Sequence, residues 1–253
     1  MAVLATLIAG ETGVGSKLLI DAAGAPREII GTLGIDALDA AVQQQAAIFL
    51  ESREDTRVFQ VKEFAPALSG WGDAQILFER IQREPRLVVC GAGHVGASLA
   101  ELGSRMGYRV TLIDDRAEFL SRERFPDELI TLVAARNWAD AVHESVGNGQ
   151  GVSVAVVTRG HSEDEQCMRA LMESDAVYIG LIGSKRRTNI VLQRLRESGA
   201  EEKKLEGVHA PIGLDIGAVT PEEVALAIMA EIVAVRRGGK GGPLSERKRG
   251  TGK

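Results

Sequence analysis

A glycine-rich loop is the part of the sequence best suited to bind a phosphate. Its pattern is Gly-x-Gly-x-x-Gly, and the residues of interest are Gly91, Gly93, His94, Val95 and Gly96. An apolar run precedes the loop and apolar residues at helical spacing follow it, which predicts a strand, a turn and a helix. Glycine lets the backbone approach a phosphate, and the first N–H groups of a helix attract anions. We therefore predict a phosphate site with His94 beside the ligand; a tight turn without a ligand is the alternative.

An acidic pair follows the next predicted strand. Asp114 and Asp115 lie about twenty residues beyond the glycines, where dinucleotide-binding folds place a ribose-binding carboxylate. We expect Asp114 to accept hydrogen bonds from a ribose or pterin group, with Arg116 beside it at the site. The alternative is that Asp114 pairs with Arg116 or caps the next segment.

Titratable residues follow the fourth predicted strand of this region. Gly160 and His161 come directly after it, and Asp164 lies close behind them. Parallel strands end at one edge of their sheet, so we expect His161 and Asp164 at the same edge as the glycine loop. Helix capping by Ser162 and its neighbours is the alternative.

A basic helix start follows the fifth predicted strand. Gly183 and Ser184 open the predicted helix, and its first turn carries Lys185, Arg186 and Arg187. Cations are unfavourable at a helix N-terminus because they oppose the macrodipole. A bound anion would remove this conflict, so we predict a ligand contact at residues 183–186. A solvated basic face is the alternative.

The segment 211–217 is long and apolar for a simple connector. We expect it to line the pocket or a partner surface, with Pro211, Gly213 and Asp215 at the site. It leads to Thr220 and Glu223, which form a predicted capping box around a proline at the first helical position. The last helix is therefore predicted to begin at residue 221.

Strands and helices alternate regularly from residue 87 onward. The predicted strands are 87–90, 109–113, 129–133, 152–158 and 176–182. The predicted helices are 95–106, 138–144, 163–173, 185–198 and 221–236. This alternation predicts a Rossmann-like, doubly wound parallel sheet that binds ligands where its strand order switches. We assign this domain to residues 85–236.

The pattern of residues 1–84 predicts a small mixed α+β domain. The predicted fold class of the whole chain is therefore α/β, with an α+β N-terminal domain. Its expected strands are 3–8, 18–20, 28–31, 56–64 and 74–81, and its expected helix is 36–50. Pro85 separates the two domains because proline cannot donate to a strand ladder. Residues 237–253 are basic and glycine-rich, and we expect a disordered tail.

The composition excludes several classes of protein. The net charge of -5 gives no reason to expect nucleic-acid binding. No apolar run approaches the ~18 residues that a membrane span needs. The start of the chain lacks a signal-peptide pattern, and two cysteines make no disulfide framework. We therefore expect the protein to be located in the cytoplasm. The four histidines lack metal-ligand spacing, and no metal site is predicted.

Several motifs together resemble the XdhC/CoxI family of molybdenum hydroxylase accessory proteins. They are the glycine loop, Asp114-Asp115-Arg116, Arg124-Phe125-Pro126, 178–184 and 211–217. The resemblance implies a non-catalytic chaperone that binds molybdenum cofactor, as molybdopterin or its dinucleotide. Such a chaperone helps the cofactor receive its terminal sulfur and inserts it into the apoenzyme of a xanthine dehydrogenase or aldehyde oxidoreductase type molybdenum hydroxylase.

The resemblance also implies further partners, and one alternative function stays open. A cysteine desulfurase and a cofactor nucleotidyltransferase are expected partners, and a homodimer is the expected assembly. The glycine loop and the basic helix start would suit NAD equally well. An NAD(P)-dependent oxidoreductase or an NAD-sensing regulatory protein is therefore the alternative.

The N-terminal domain resembles the family less closely. Gly10–Gly13 replaces the family's Ser-x-Pro-Arg stretch, and Gly31–Asp36 replaces a triple-glycine motif. Where the family often has Cys-Gly-Gly, this chain reads Gly70-Trp71-Gly72. The missing cysteine argues against thiol-dependent sulfur transfer by this domain.

Overall fold

The structure is a computed structural model that describes residues 2–21, 28–52, 54–81 and 84–245. It divides into two compact units, residues 1–83 and 84–253. Each unit has its own hydrophobic core. In the described ranges, no helix combines the length and the apolar character that crossing a membrane requires.

The first unit is an antiparallel sheet with one long helix packed on it. Its strands are β1 (Ala2–Ala9), β2 (Lys17–Asp21), β3 (Ile29–Gly31), β4 (Thr56–Gln60) and β5 (Gln75–Ile81), in the order β3-β2-β1-β5-β4. Alternate residues of β1 from Val3 to Leu7 are buried, because successive side chains of a strand point to opposite faces. Helix α1 (Asp36–Glu51) covers the buried face with Leu38, Val42, Ala46 and Phe49.

The strand predicted over residues 56–64 is wrong in its second half. Strand β4 ends at Gln60, and the next four residues form the helical turn α2 (Val61–Phe64). The Gln60 N–H donates to the Glu63 carboxylate at 3.2 Å as part of a capping box. The capping box satisfies free N–H groups at the start of the helical turn. The turn therefore forms although the apolar pattern is that of a strand.

The second unit contains a six-stranded parallel sheet. Its strands are β6 (Arg86–Cys90), β7 (Arg109–Asp114), β8 (Ile130–Ala134), β9 (Val152–Val156), β10 (Tyr178–Leu181) and β11 (Val208–His209). Their order is β11-β10-β9-β6-β7-β8. All residues of β9 are buried, as expected for a strand covered on both faces. The predicted doubly wound sheet is confirmed.

Helices cover both faces of this sheet. Helices α3 (His94–Arg105) and α8 (Pro221–Arg237) contribute to one core cluster. Helices α4 (Trp138–Val146), α5 (His161–Leu171) and α6 (Lys185–Glu197) contribute to the other. All five predicted helices are present, and the capping box at Thr220 is confirmed.

Two short elements and the chain end complete the second unit. Neither helix α7 (Glu202–Glu206) nor strand β11 was predicted, because α7 buries only Leu205 and β11 is too short for a detectable period. The predicted tail begins inside α8, and the Gly239 N–H donates to the Ala234 carbonyl at 2.7 Å. Residues 246–253 of that tail lie outside the described residues.

Candidate functional site

The strand order of the parallel sheet switches between β6 and β9. Strands β7 and β8 extend the sheet on one side of β6, whereas β9, β10 and β11 extend it on the other. The carboxyl ends of β6 and β9 therefore border a crevice, the place where open α/β sheets bind their ligands. The glycine loop follows β6 and lies at this position.

Glycine is present at the three positions of the loop for different structural reasons. A Cβ on Gly91, which has φ +114°, would lie 2.6 Å from the Val157 carbonyl oxygen. A Cβ on Gly96 would lie 1.7 Å from the Gly91 carbonyl oxygen, so both positions need glycine for close packing. A Cβ on Gly93 would meet no described atom within 4 Å. The open space beside Gly93 is what a backbone needs to approach a phosphate.

The start of helix α3 is available to an anion. Its N-cap is Gly93, and no side chain caps it. His94, the first helical residue, is exposed, whereas Val95 packs against the core. Helices α6 and α8, in contrast, are capped by Ser184 and Thr220. The uncapped N–H groups of α3 carry a partial positive charge at the crevice.

Helix α5 also begins at the crevice, but a carboxylate already covers its start. Gly160 is its N-cap, and His161 is its first residue and is exposed. One Glu163 carboxylate oxygen lies 2.0 Å from the place that a Gly160 Cβ would take. The glycine loop is therefore a better anion site than the start of α5.

The Asp114 carboxylate is fully used inside the protein. Its Oδ1 accepts hydrogen bonds from the Arg116 N–H at 2.9 Å and from Arg116 Nε at 2.9 Å. Its Oδ2 accepts from the Ala92 N–H at 2.6 Å and from Arg116 Nη2 at 3.0 Å. A carboxylate has about four acceptor sites, so none remains for a ribose or pterin hydroxyl. Asp114 therefore pairs with Arg116, which is one of the alternatives considered for it.

These contacts also fix the charge of Asp114. Burial acts to raise the pKa of Asp114, but the hydrogen bonds from Arg116 and Ala92 outweigh burial and hold the pKa below its ordinary value of 3.8. The carboxylate is therefore charged at neutral pH. It ties the glycine loop to the end of β7.

Two arginines lie against Phe119 beside the glycine loop. The Arg116 guanidinium carbon is 3.8 Å from the ring centroid, and that of Arg124 is 5.5 Å from it. Arg124 also donates from Nη1 to the Ala92 carbonyl oxygen at 3.2 Å. Cation–π contacts and hydrogen bonds thus hold two positive charges next to the loop.

An ion pair links the ends of β7 and β9. Arg159 Nη2 lies 3.0 Å from Asp115 Oδ2, although β6 separates the two strands. Arg116 Nε is 3.8 Å from the other Asp115 oxygen, and Arg159 Nε is 3.9 Å from Glu163 Oε1. Charges of alternating sign therefore run across the crevice.

A buried carboxylate joins β9, α5 and α6. Asp164 is 0% exposed and accepts hydrogen bonds from Thr158 Oγ1 at 2.5 Å and from Arg187 Nε at 3.2 Å. Burial raises the pKa of Asp164, and the hydrogen bonds from Thr158 and Arg187 oppose this shift. Thr158 and Arg187 are therefore the side-chain hydrogen-bond partners of Asp164.

The basic start of α6 is partly neutralised by the protein itself, because Arg187 pairs with Asp164. Lys185 and Arg186 are exposed, and their side chains have no hydrogen-bond or ion-pair partner among the described residues. A Cβ on Gly183, which has φ +147°, would lie 3.1 Å from the Arg187 Cδ. The cations left for a ligand are therefore Lys185 and Arg186.

The loop 211–217 is held between the sheet edge and α8. The Ile212 N–H donates to the Leu181 carbonyl oxygen at 3.0 Å, and the Gly213 N–H donates to Glu231 Oε2 at 2.8 Å. Pro211 and Asp215 are exposed. The loop follows the edge strand β11, and within the described ranges no hydrogen bond or ion pair joins it to the glycine loop. The sheet edge and α8 therefore position Pro211, Gly213 and Asp215.

A groove of about 550 Å³ lies beside the start of α3. It is lined by side chains of α3 and α8 together with Arg124, and it includes His94 and Ser98. Its volume is within the range of small-molecule sites. Among the described residues, His94 is the one residue of the glycine loop that lines this groove, which continues along α3 and α8.

Both cysteines of the chain, Cys90 and Cys167, are buried. A hydrogen bond with Cys90, together with burial, raises the pKa of the Cys167 thiol. The thiolate is the nucleophilic form of cysteine. Neither cysteine therefore offers an exposed thiol for sulfur chemistry.

A family comparison decides the classification. The family model described as the XdhC Rossmann domain matches residues 87–232, which is more than half of the 253 residues. The chain belongs to the XdhC family. This confirms the resemblance found in the motifs of the sequence.

Three relatives of this XdhC-family chain come from two bacteria. It is 32% identical over 232 residues to the uncharacterized protein YqeB of Escherichia coli strain K12, covering 90% of the chain and 41% of YqeB. It is 30% identical over 167 residues to a Bacillus subtilis strain 168 protein named as a probable xanthine dehydrogenase component, covering 64% of the chain and 46% of that protein. It is 32% identical over 69 residues to the molybdenum cofactor insertion chaperone PaoD of Escherichia coli strain K12, covering 27% of the chain and 22% of PaoD. The chain spans less than half the length of each.

A solved structure has the same fold as this XdhC-family chain. It is described as a xanthine dehydrogenase from Bacillus halodurans, and it is 18% identical in sequence with a TM-score of 0.54. The match covers 94% of the chain and 92% of the solved chain. At this identity the likeness concerns the fold alone.

Three residues at the site of this XdhC-family member, Asp115, Arg124 and Arg159, were not assigned to it from the sequence. Arg159 follows β9 closely, and Asp115 follows β7 directly, so both have the same signal as Asp114 and His161, a polar residue at a strand end. Arg124 lies in a loop without regular structure. It belongs to a motif that carries the family resemblance, but its hydrogen bond to the glycine loop depends on tertiary folding.

Proposed function

We propose that this protein binds molybdenum cofactor at the crevice of its parallel sheet and delivers it to a molybdenum hydroxylase. The observation that carries the proposal is the glycine loop, which combines open space beside Gly93 with the uncapped start of α3. Molybdenum cofactor carries a phosphate, and its dinucleotide forms carry a pyrophosphate. Either group suits a backbone cradle of this kind.

The names of two relatives support this cargo. PaoD is a molybdenum cofactor insertion chaperone, and the Bacillus subtilis relative is a probable component of xanthine dehydrogenase. Neither name extends to this chain by identity alone, because the chain spans less than half of each relative. The proposed partner is the apoenzyme of a xanthine dehydrogenase or aldehyde oxidoreductase type hydroxylase.

The contacts of Asp114 argue against the ribose contact that NAD-binding folds make. NAD-binding folds use the acidic residue after the second strand to hold the ribose hydroxyls. In this protein four donors occupy that carboxylate, so an NAD ribose would have to displace Arg116. We infer that NAD would bind here without its usual ribose contact, and that molybdenum cofactor likewise binds without help from Asp114.

The buried cysteines limit the part of this chain in sulfur insertion. We propose that sulfur reaches the bound cofactor from a separate protein, such as a cysteine desulfurase, because both thiols of this chain are buried. The contribution of this chain is then to hold and protect the cofactor during that step. Replacing Cys90 and Cys167 together by alanine should leave hydroxylase activation intact.

A titration tests the proposal. The purified chain is titrated separately with isolated molybdenum cofactor, NAD and NADP, and binding is followed by fluorescence and calorimetry. Cofactor that binds, and then activates an apo-hydroxylase faster than free cofactor does, would support the proposal. NAD binding with hydride transfer and no cofactor binding would refute it and favour an NAD(P)-dependent oxidoreductase.

A further inference from the structure

The ion pair between Arg159 and Asp115 crosses the crevice above the glycine loop. Arg159 follows β9 and Asp115 follows β7, and the strand between them is β6. Neighbouring strands lie about 4.8 Å apart, so the two side chains together span roughly 10 Å over the end of β6. The glycine loop begins at that end. The ion pair therefore lies at the mouth of the proposed phosphate site.

This ion pair is exposed enough to exchange. The Arg159 side chain is 51% exposed and the Asp115 side chain is 31% exposed. Ion pairs of this kind contribute little to stability because water and salt screen them. A ligand anion can therefore replace the Asp115 carboxylate without a large cost to the fold.

Arg159 keeps a second carboxylate when it leaves Asp115. Glu163 lies 3.9 Å from Arg159 Nε, and the missing side chain of Gly160 leaves room for this carboxylate at the start of α5. Glu163 can thus orient the guanidinium while its Nη groups turn to a ligand. Arginine suits this exchange because its fork binds carboxylates and phosphates with the same geometry.

We propose that Arg159 is a phosphate-binding residue of this crevice, which Asp115 holds across the mouth until a phosphate or pyrophosphate group replaces its carboxylate. The inference rests on the proposed use of the crevice for a phosphate-bearing cargo. It adds a specific residue and an exchange step to that proposal. Asp115 lowers affinity in this scheme, whereas Arg159 raises it.

A double-mutant cycle tests the exchange. The probes are inorganic pyrophosphate and isolated molybdenum cofactor, titrated by calorimetry into the full chain. Asp115→Asn should tighten the binding of both probes about two- to fivefold, because no ion pair has to break. Arg159→Gln should weaken binding about tenfold through loss of a charge-assisted hydrogen bond. In the Arg159→Gln background, Asp115→Asn should give no gain.

The matched control is Glu118→Gln, which removes an exposed carboxylate that also acts on Arg116. It should change affinity less than Asp115→Asn does. An equal gain from Asp115→Asn with and without Arg159 would reduce the effect to general charge and overturn the exchange. Unchanged affinity in Arg159→Gln would also overturn it. Thermal unfolding of each variant separates lost binding from lost folding.

The two probes separate this inference from the proposed function. If the cofactor binds but the cycle has no coupling, the exchange is refuted and the proposed function stands. If pyrophosphate gives the predicted cycle but the cofactor does not bind, the exchange stands and the proposed function is refuted. Failure of both probes to bind the wild-type chain would refute both.

Discussion

Asp114 illustrates how one residue type can serve different purposes at the same place in a fold. In dinucleotide-binding proteins an acid at this position binds the ribose, and the spacing in this sequence predicts that role. Here the carboxylate accepts four hydrogen bonds from Arg116 and Ala92. It therefore acts as a support for the glycine loop and for a cation beside the loop.

Replacing Asp114 by asparagine should destabilise the fold. The variant leaves Arg116 without its charged partner and weakens the bond from Ala92, and we expect a loss of about 2 kcal/mol at neutral pH. Chemical denaturation of the wild-type chain and of Asp114→Asn measures this difference. Asp115→Asn is the matched control, because its ion pair is exposed, and it should change stability far less.

The lowered pKa of Asp114 gives this effect a pH dependence. The folded-state pKa lies below 3.8, so the stabilisation is complete above pH 3.8 and is lost as the pH falls through the folded-state value. The stability difference between the wild-type chain and Asp114→Asn should therefore shrink below pH 3.8. A difference that stays constant down to acid unfolding would contradict the assigned contacts.

At the scale of elements, the start of α8 combines several signals that act together. Thr220 accepts a hydrogen bond from the Glu223 N–H, and Glu223 accepts from the Thr220 N–H at 3.0 Å. We expect Thr220→Ala to destabilise the second unit by about 1 kcal/mol. Denaturant midpoints measure this effect. The control is Ser198→Ala at the C-terminal end of α6, which should lower the stability less.

The cations at the start of α6 are argued at the same scale. The side chains of Lys185 and Arg186 have no hydrogen-bond or ion-pair partner among the described residues, whereas that of Arg187 is paired with Asp164. Reversing both free cations to glutamate should weaken the binding of isolated molybdenum cofactor about tenfold without lowering the unfolding temperature, because carboxylates suit a helix N-terminus. The control variant reverses Lys17 and Lys203, which are exposed elsewhere. Equal effects of the two double variants would mean that α6 makes no specific contact.

Regular elements were predictable because their signals are local. The sheet strands of the second unit are apolar runs, and α3, α6 and α8 have helical spacing and recognisable ends. The turn at Val61–Phe64 was missed because a capping interaction of Glu63 competes with strand alternation. Helix α7 was missed because one buried leucine gives no period.

The site was only partly predictable, because its details depend on contacts between distant residues. The glycine loop and the strand ends were located from spacing alone. The ion pairs of Arg187 with Asp164 and of Arg159 with Asp115 depend on how β7, β9 and α6 are arranged in space. Sequence spacing places residues at an edge of a sheet, but it does not determine which of them pair there.

At the scale of the whole molecule, the proposed carrier has its cradle in the second unit. The parallel sheet places the glycine loop at its switch point, with Arg116, Arg124 and Arg159 around it. The first unit is an antiparallel sheet with its own core. The central claim is that the cargo's phosphate lies against the backbone at Gly93.

Gly93→Ala tests this claim most directly. A Cβ there meets no described atom within 4 Å, and φ is −66°, so the fold should be unchanged. The stability should fall by less than about 1 kcal/mol, because alanine is a poorer N-cap than glycine. Gly96→Ala is the contrasting variant, since its Cβ would lie 1.7 Å from the Gly91 carbonyl oxygen and should destabilise the unit by about 3 kcal/mol.

The measurement is the dissociation constant of isolated molybdenum cofactor for the folded Gly93→Ala variant. We predict at least about tenfold weaker binding than that of the wild-type chain, because the methyl group occupies the phosphate's place. Unchanged affinity in a fully folded Gly93→Ala variant would contradict this placement of the phosphate.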